Sequence, residues 1–259
     1  MKPRIAVHKF SSCDGCQLAF LNLGSDLLTL FEQVDVVHFA EAGPVDEDAP
    51  VLVSFVEGSI STAEDVERIH RIRACSRYLV TIGACATAGG LQALRNAAAN
   101  GEQWLASVYA TPAWIDSLPQ VNPVRAHVAV DFELWGCPVS TAQVIATLRA
   151  YLAGVIPLDE TDKVCLECKR QQAVCVLVTE GQPCLGPVTR TGCGALCPRA
   201  GRDCYGCFGP AENAQFATLQ RCMTGLGLLP EQVAHRFRSF NAADPVLNRA
   251  VAELESGND

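Results

Sequence analysis

With 259 residues, 49% of them hydrophobic and 19% charged, the chain is long enough for one large domain plus an appendage, and too apolar to be disordered. A net charge of -8 leaves no basic stripe to displace phosphate counterions, which excludes a nucleic-acid binder and disfavours acidic partners. No run approaches the roughly 18 apolar residues that a membrane-spanning helix requires.

In chain order, Met1-Lys2-Pro3-Arg4 leads straight into an apolar run with no long leader and no twin-arginine signal. This start predicts a cytoplasmic protein whose thiols stay reduced. Strands are predicted at 4–10, 34–39, 51–56, 78–82 and 126–132, with helices at 18–31, 62–74, 88–99 and 140–152. Strands alternating with helices give an α/β class, a flavodoxin-like parallel sheet domain over residues 1–157. Beyond Gly154 the apolar periodicity fades, and residues 158–259 are read as a small, irregular, cysteine-rich domain with a C-terminal tail. Its stretch from Cys165 to Pro210 is too poor in core residues to fold unaided, so ligated metal is expected to stabilise it. A helix is predicted over 211–225, and further helix or a surface strap over 231–259.

Twelve of the fourteen cysteines fall into three groups of four. Cys13, Cys16, Cys85 and Cys137 each follow a predicted strand, and the carboxyl ends of parallel strands open on one edge where ligands bind. The other two groups divide by spacing into Cys165, Cys168, Cys175 and Cys184, and Cys193, Cys197, Cys204 and Cys207. Four thiolates satisfy a cubane iron–sulfur cluster or a structural zinc ion. Zinc ribbons use two C-x2-C knuckles per ion, whereas each distal group here has one, which favours iron–sulfur. Gly15, Gly83 and Gly136 let the backbone approach a bulky cluster.

The segments Ser12-Cys13-Asp14-Gly15-Cys16-Gln17, Val56-Glu57-Gly58-Ser59, Thr81-Ile82-Gly83-Ala84-Cys85-Ala86, Gly136-Cys137-Pro138, Pro183-Cys184-Leu185-Gly186-Pro187-Val188-Thr189 and Cys204-Tyr205-Gly206-Cys207 resemble, in this order, the small subunit of a nickel–iron hydrogenase. The resemblance spans residues 4–210. It implies a proximal 4Fe-4S cluster on Cys13, Cys16, Cys85 and Cys137, facing a large subunit that holds the nickel–iron centre. It further implies distal ligation by Cys184 and medial ligation by Cys193, Cys204 and Cys207. Membrane-associated relatives have histidine where this chain has Cys165, and many have proline where a fourth medial ligand would stand. Cys197 is available for that place, so three 4Fe-4S clusters are expected. Full cysteine ligation tends to lower cluster potentials, which fits a delta-type subunit of the sulfhydrogenase and NAD(P)-linked bidirectional branch. A flavin-containing NAD(P) reductase and ferredoxin-like subunits are the partners this implies.

Glu57 is a candidate proton relay at a strand end, with a helix N-terminal carboxylate before Thr62 as its ordinary alternative. Asp14 is read as satisfying loop amides. Cys75 and Cys222 are read as small buried hydrophobes. The five histidines show no metal-ligand spacing, and Trp104, Trp114 and Trp135 are read as packing or interface residues. Two other functions compete: a relay subunit of a hydrogenase-related respiratory complex, whose members normally carry one cluster and adjacent cysteines, and a zinc-stabilised adaptor.

Overall fold

The computed structural model describes residues 2–22, 24–97 and 101–256. Five strands form one parallel sheet: β1 (Arg4–Lys9), β2 (Asp35–Phe39), β3 (Val51–Glu57), β4 (Ser76–Ile82) and β5 (Phe132–Leu134), in the order β2-β1-β3-β4-β5. This is the flavodoxin-like strand order, whose direction reverses between β1 and β3.

The first predicted helix is two. α1 (Gly15–Leu21) and α2 (Ser25–Gln33) are separated by a break in which Gly24 holds φ 59°, and α1 begins early enough to carry Cys16 in its first turn. α3 (Ala63–Cys75) matches its expected position because Thr62 and Asp65 close a capping box: Thr62 Oγ1 accepts the Asp65 N–H at 3.1 Å and Asp65 Oδ2 accepts the Thr62 N–H at 3.0 Å. The helix expected over 88–99 is displaced. α4 (Gly83–Ala88) ends where Gly89 and Gly90 both take positive φ, a 3-10 turn covers Leu91–Ala97, and residues 98–100 lie outside the described part. α5 (Gly101–Val108) and α6 (Thr141–Leu152) follow.

The fifth strand is also shifted from 126–132 to Phe132–Leu134. Its apolar alternation belongs to a loop that buries Val124 and Val128 on the α3 side of the sheet. Asp131 then caps the ladder, its Oδ2 accepting the Leu79 N–H at 2.7 Å, so regular pairing starts only at Phe132 opposite Val80.

Strand alternation sends Ile5, Val7, Val53, Phe55, Val80 and Ile82 to the face covered by α1, α2 and α6. Phe10, Val56, Ile69, Ile72 and Leu79 line the other face under α3. The cysteine-rich segment contains α7 (Val164–Arg170), α8 (Val176–Thr179) and α9 (Leu196–Arg199), followed by α10 (Phe216–Gly225), α11 (Pro230–Arg238) and α12 (Pro245–Ser256). Poor in core residues by itself, it shares a separate apolar core with those last three helices: Val176, Leu185 and Val188 pack with Leu219, Met223, Val233, Phe237, Val251 and Leu254. The tail read as helix or strap is thus the other half of that core.

Two core histidines occupy the α3 side. His8 of β1 and His38 of β2 stack with ring centroids 4.6 Å apart and planes 16° apart. Arg68 of α3 binds Glu47 through Nε and Nη2 and donates to the Lys9 carbonyl at 2.6 Å. No metal-ligand spacing marks these histidines along the chain, yet ligand atoms of His8, His38 and Glu47 lie within 4.8 Å of one another. Arg68 already supplies the positive charge that Glu47 needs there, so the group is a buried structural network.

Burial, then His38 and Arg68, pushes the His8 pKa down to about 3. A base whose pKa is lowered on folding contributes stability that is complete above its unfolded value and is lost as pH falls toward the folded one. Between about pH 7 and about pH 5.5, His8 should cost roughly 1 kcal/mol of unfolding free energy. Urea unfolding of the wild type and His8→Gln at both pH values checks this: the variant should lack that increment, and equal losses in both proteins would contradict it.

Candidate metal centres

Parallel pairing of β1, β3, β4 and β5 puts four strand ends on one edge, and each delivers a residue of the first centre. After β1, the loop reaches Cys13, exposed at its tip, and Cys16, buried in the first turn of α1. Between them Asp14 holds φ 65°, accepts from Lys9 Nζ at 2.7 Å and accepts from Ser12 Oγ at 3.2 Å. It shapes the loop through side-chain partners, not by satisfying loop amides as expected: among the described residues no backbone N–H donates to its carboxylate. β4 runs directly into α4, which carries Cys85, and β5 ends in the Gly136-Cys137-Pro138 turn.

The four thiols lie near enough for their charges to be felt mutually: Cys85 and Cys137 act on Cys16, and Cys13 acts on Cys85 and Cys137. Burial pushes Cys16 and Cys137 up from the ordinary thiol range, and Cys85 up to about 11. The Val139 N–H points at Cys16 Sγ at 3.5 Å, and Cys85 Sγ points at Gln92 Oε1 at 3.5 Å.

Glu57, at the end of β3 and 2% exposed, accepts the Cys16 N–H at 3.2 Å and the Gln17 N–H at 3.0 Å. It is a helix N-terminal carboxylate, but for α1 rather than for the helix after Thr62. Burial raises its pKa, partly offset by those two backbone donors.

The second group of thiols surrounds α7. A Cβ on Gly186 would stand 3.4 Å from Cys184 Sγ and 3.5 Å from Cys165 Sγ, so this glycine lies directly against two of them. Cys168 interacts with Cys165, Cys184, Cys175 and, more weakly, Cys193, and burial is the main cause that lifts it to about 11. Cys184 Sγ accepts the Cys204 N–H at 3.2 Å, which works against the upward push of burial.

In the third group, burial pushes the Cys193 thiol up, with Cys197 nearby, and Cys193 Sγ points at Glu167 Oε2 at 3.8 Å. Burial pushes Cys207 up to about 12, with Cys193, Cys137 and Cys197 close enough to add to the shift. Cys204 faces both Cys184 and Cys207. Cys204 and Cys184 are in direct contact, the Cys204 N–H donating to Cys184 Sγ at 3.2 Å, and Cys137 and Cys207 lie near each other.

All fourteen cysteines are free thiols. Burial and mutual repulsion disfavour four neighbouring thiolates unless a cation binds them. Sulfur-only donors with backbone N–H groups aimed at them fit iron–sulfur clusters. Cys75 is half-buried and Cys222 exposed, so the expectation of two buried hydrophobes fails: Cys222 sits on the outer side of α10, whose inner side carries Leu219 and Met223.

Sequence reasoning missed Glu167, which lies between Cys165 and Cys168 yet serves another loop. Its Oε1 accepts the Gly192 N–H at 2.9 Å and its Oε2 the Ala195 N–H at 3.1 Å, framing Cys193. The one available signal was an acidic residue between two candidate ligands. Trp135, read only as packing or interface, is a core residue beneath Gly209 and flanked by Arg190 and Arg125.

The NADH ubiquinone oxidoreductase, 20 Kd subunit, family model matches residues 13–151. Sulfhydrogenase 2 subunit delta of Pyrococcus furiosus is 33% identical over 92% of this chain and 98% of its own length. A subunit of the F420-non-reducing hydrogenase vhu of Methanocaldococcus jannaschii is 30% identical over 95% and 97% of the two chains. Among solved structures, a chain of an NAD+-reducing [NiFe]-hydrogenase in the H2-reduced state superposes with a TM-score of 0.56 at 29% identity, covering 61% of this chain and 96% of that one. With the strand order, the cysteine groups and these relatives in agreement, the chain belongs to the 20 Kd NADH ubiquinone oxidoreductase subunit family and, within it, to the small, delta-type subunits of nickel–iron hydrogenases.

Proposed function

We propose that this chain is the electron-relay subunit of a nickel–iron hydrogenase, holding three 4Fe-4S clusters in series between a nickel–iron centre on the large subunit and a flavin-bearing NAD(P) reductase module with ferredoxin-like subunits. The observation that carries this reading is the meeting of Cys13, Cys16, Cys85 and Cys137 from three strand ends at one sheet edge, continued by two further thiol groups. When bound, the clusters would supply one-electron carriers. The residues' own work is to hold them, exclude water and aim N–H donors at their sulfurs. In this reading the ligands are Cys13, Cys16, Cys85 and Cys137 (proximal), Cys193, Cys197, Cys204 and Cys207 (medial), and Cys165, Cys168, Cys175 and Cys184 (distal).

Spacing argues against zinc. Four thiolates at about 2.3 Å from one zinc ion stand roughly 3.8 Å apart, whereas among the described residues no three cysteine sulfurs lie within 4.8 Å of one another. The surface beside the proximal loops suits a large partner, with Leu18, Leu91 and Leu94 exposed there. In this reading Glu57, buried beside the same crevice with its pKa raised by burial, remains the candidate proton relay. No helix among the described residues is long and apolar enough to cross a membrane, which is compatible with the cytoplasmic location expected from the sequence.

Iron and acid-labile sulfide in the purified complex test the count. Three cubanes require about twelve irons assigned to this chain; four or fewer, or zinc without sulfide, would overturn the proposal. Gly83 offers a sharper test of the first site, because it has φ 82° and an added Cβ would fall 2.2 Å from Cys16 Sγ. Gly83→Ala should displace that sulfur and remove the proximal resonance from spectra of the reduced complex. A variant with the wild-type resonance would contradict the ligand assignment.

A further inference from the structure

The junction between the second and third thiol groups contains an interaction that neither the motifs nor the family relationship assigns. The Cys204 N–H donates to Cys184 Sγ at 3.2 Å, and the Leu185 N–H donates back to the Cys204 carbonyl at 2.9 Å. Two loops separated by twenty residues therefore meet through their cysteines. What keeps them together comes from a third element. Arg236, on α11, donates from Nη1 both to the Pro183 carbonyl at 3.2 Å and to Asp203 Oδ2 at 2.6 Å. Pro183 and Asp203 are the residues immediately before Cys184 and Cys204.

The clamp is rigidly mounted. Val233, Ala234 and Phe237 fix α11 in the second apolar core, and Asp203 is 9% exposed. Asn241, in the turn after α11, adds a second tie, its Nδ2 donating to the Gly206 carbonyl at 2.9 Å inside the Cys204–Cys207 loop. A charge-assisted contact from a planar guanidinium constrains direction as well as distance.

We infer that Arg236 is a positioning residue for electron transfer: by clamping Pro183 and Asp203 it holds the Cys204 N–H on Cys184 Sγ, a hydrogen bond that joins the medial to the distal ligand set and sets the potential of the distal cluster. This rests on the three-cluster reading and on the assignment of Cys204 and Cys184 to different clusters. A donor on a ligand sulfur stabilises the added electron's negative charge, so its loss makes reduction less favourable.

The test uses the native complex carrying Arg236→Met, Arg236→Lys or Asp203→Asn, each assayed for iron and examined by redox titration followed by paramagnetic resonance. Exchangeable protons coupled to each reduced cluster are counted before and after transfer to deuterated buffer. Arg236→Met should shift the distal potential to more negative values and lose one exchangeable-proton coupling there, with the proximal signal and potential unchanged. Arg236→Lys, which can still reach Asp203, should recover part of the shift, and Asp203→Asn should weaken the same exchangeable-proton coupling. Loss of distal iron alone in Arg236→Met, with Arg236→Lys showing the partial shift and Asp203→Asn the weakened coupling, also supports the clamp. An unchanged distal potential and proton coupling in an iron-replete Arg236→Met complex overturns it, as does loss of all clusters in all three variants. An unsubstituted complex with four irons or fewer would instead fail at the cluster reading itself.

Discussion

Parallel pairing of β1, β3, β4 and β5 is the constraint on which the rest depends. Parallel pairing brings residues tens of positions apart in the chain to a common edge, where short loops present four thiols to one another. The β1/β3 switch point adds the crevice, and Glu57 secures it from β3 by accepting the first free N–H groups of α1. A charged side chain so deeply buried is costly unless it is hydrogen-bonded. Here its partners are the backbone of a cysteine in the site, so the carboxylate and the loop stabilise each other.

Beyond the sheet, the molecule changes its means of support. The loops that carry the second and third thiol groups have little regular structure, and their order comes from side chains reaching between loops. Glu167 holds the Cys193 turn, Thr189 Oγ1 donates to the Leu185 carbonyl at 2.8 Å, and Arg236 and Asn241 reach in from the C-terminal helices. Those helices provide the apolar core that the cysteine-rich segment lacks. The sheet and the distal segment are joined where Gly209 lies against Trp135 and Arg190 stacks on the same indole at 4.9 Å, next to the Cys137 turn.

Much of this was legible in the sequence, because apolar runs and turn glycines report locally on strands and strand ends. β1, β2, β3, β4, α3 and α6 lie close to where their patterns put them. The misplacements share a cause: β5 and the α4 region are governed by tertiary partners. Val128 alternates like a strand residue but packs from a loop, and Asp131 replaces a rung of the ladder with its side chain. The cysteine positions announced the thiol groups, and the glycines beside them announced close approach. Glu167, Arg236 and Asn241 were silent because a single polar residue on a helix gives no clue to which distant carbonyl or amide it meets. The exposure of Cys222 was hidden because an apolar neighbourhood along the chain does not reveal which side of α10 a residue occupies.

The proposed relay consists of three iron–sulfur centres running from the sheet edge toward the C-terminal helices. Anomalous scattering from crystals of the complex, recorded on both sides of the iron absorption edge and again at the zinc edge, measures this directly. Three iron peaks should lie in line, one among Cys13, Cys16, Cys85 and Cys137, one among Cys193, Cys197, Cys204 and Cys207, and one among Cys165, Cys168, Cys175 and Cys184. Zinc peaks at those positions, or iron confined to the sheet edge, would contradict it.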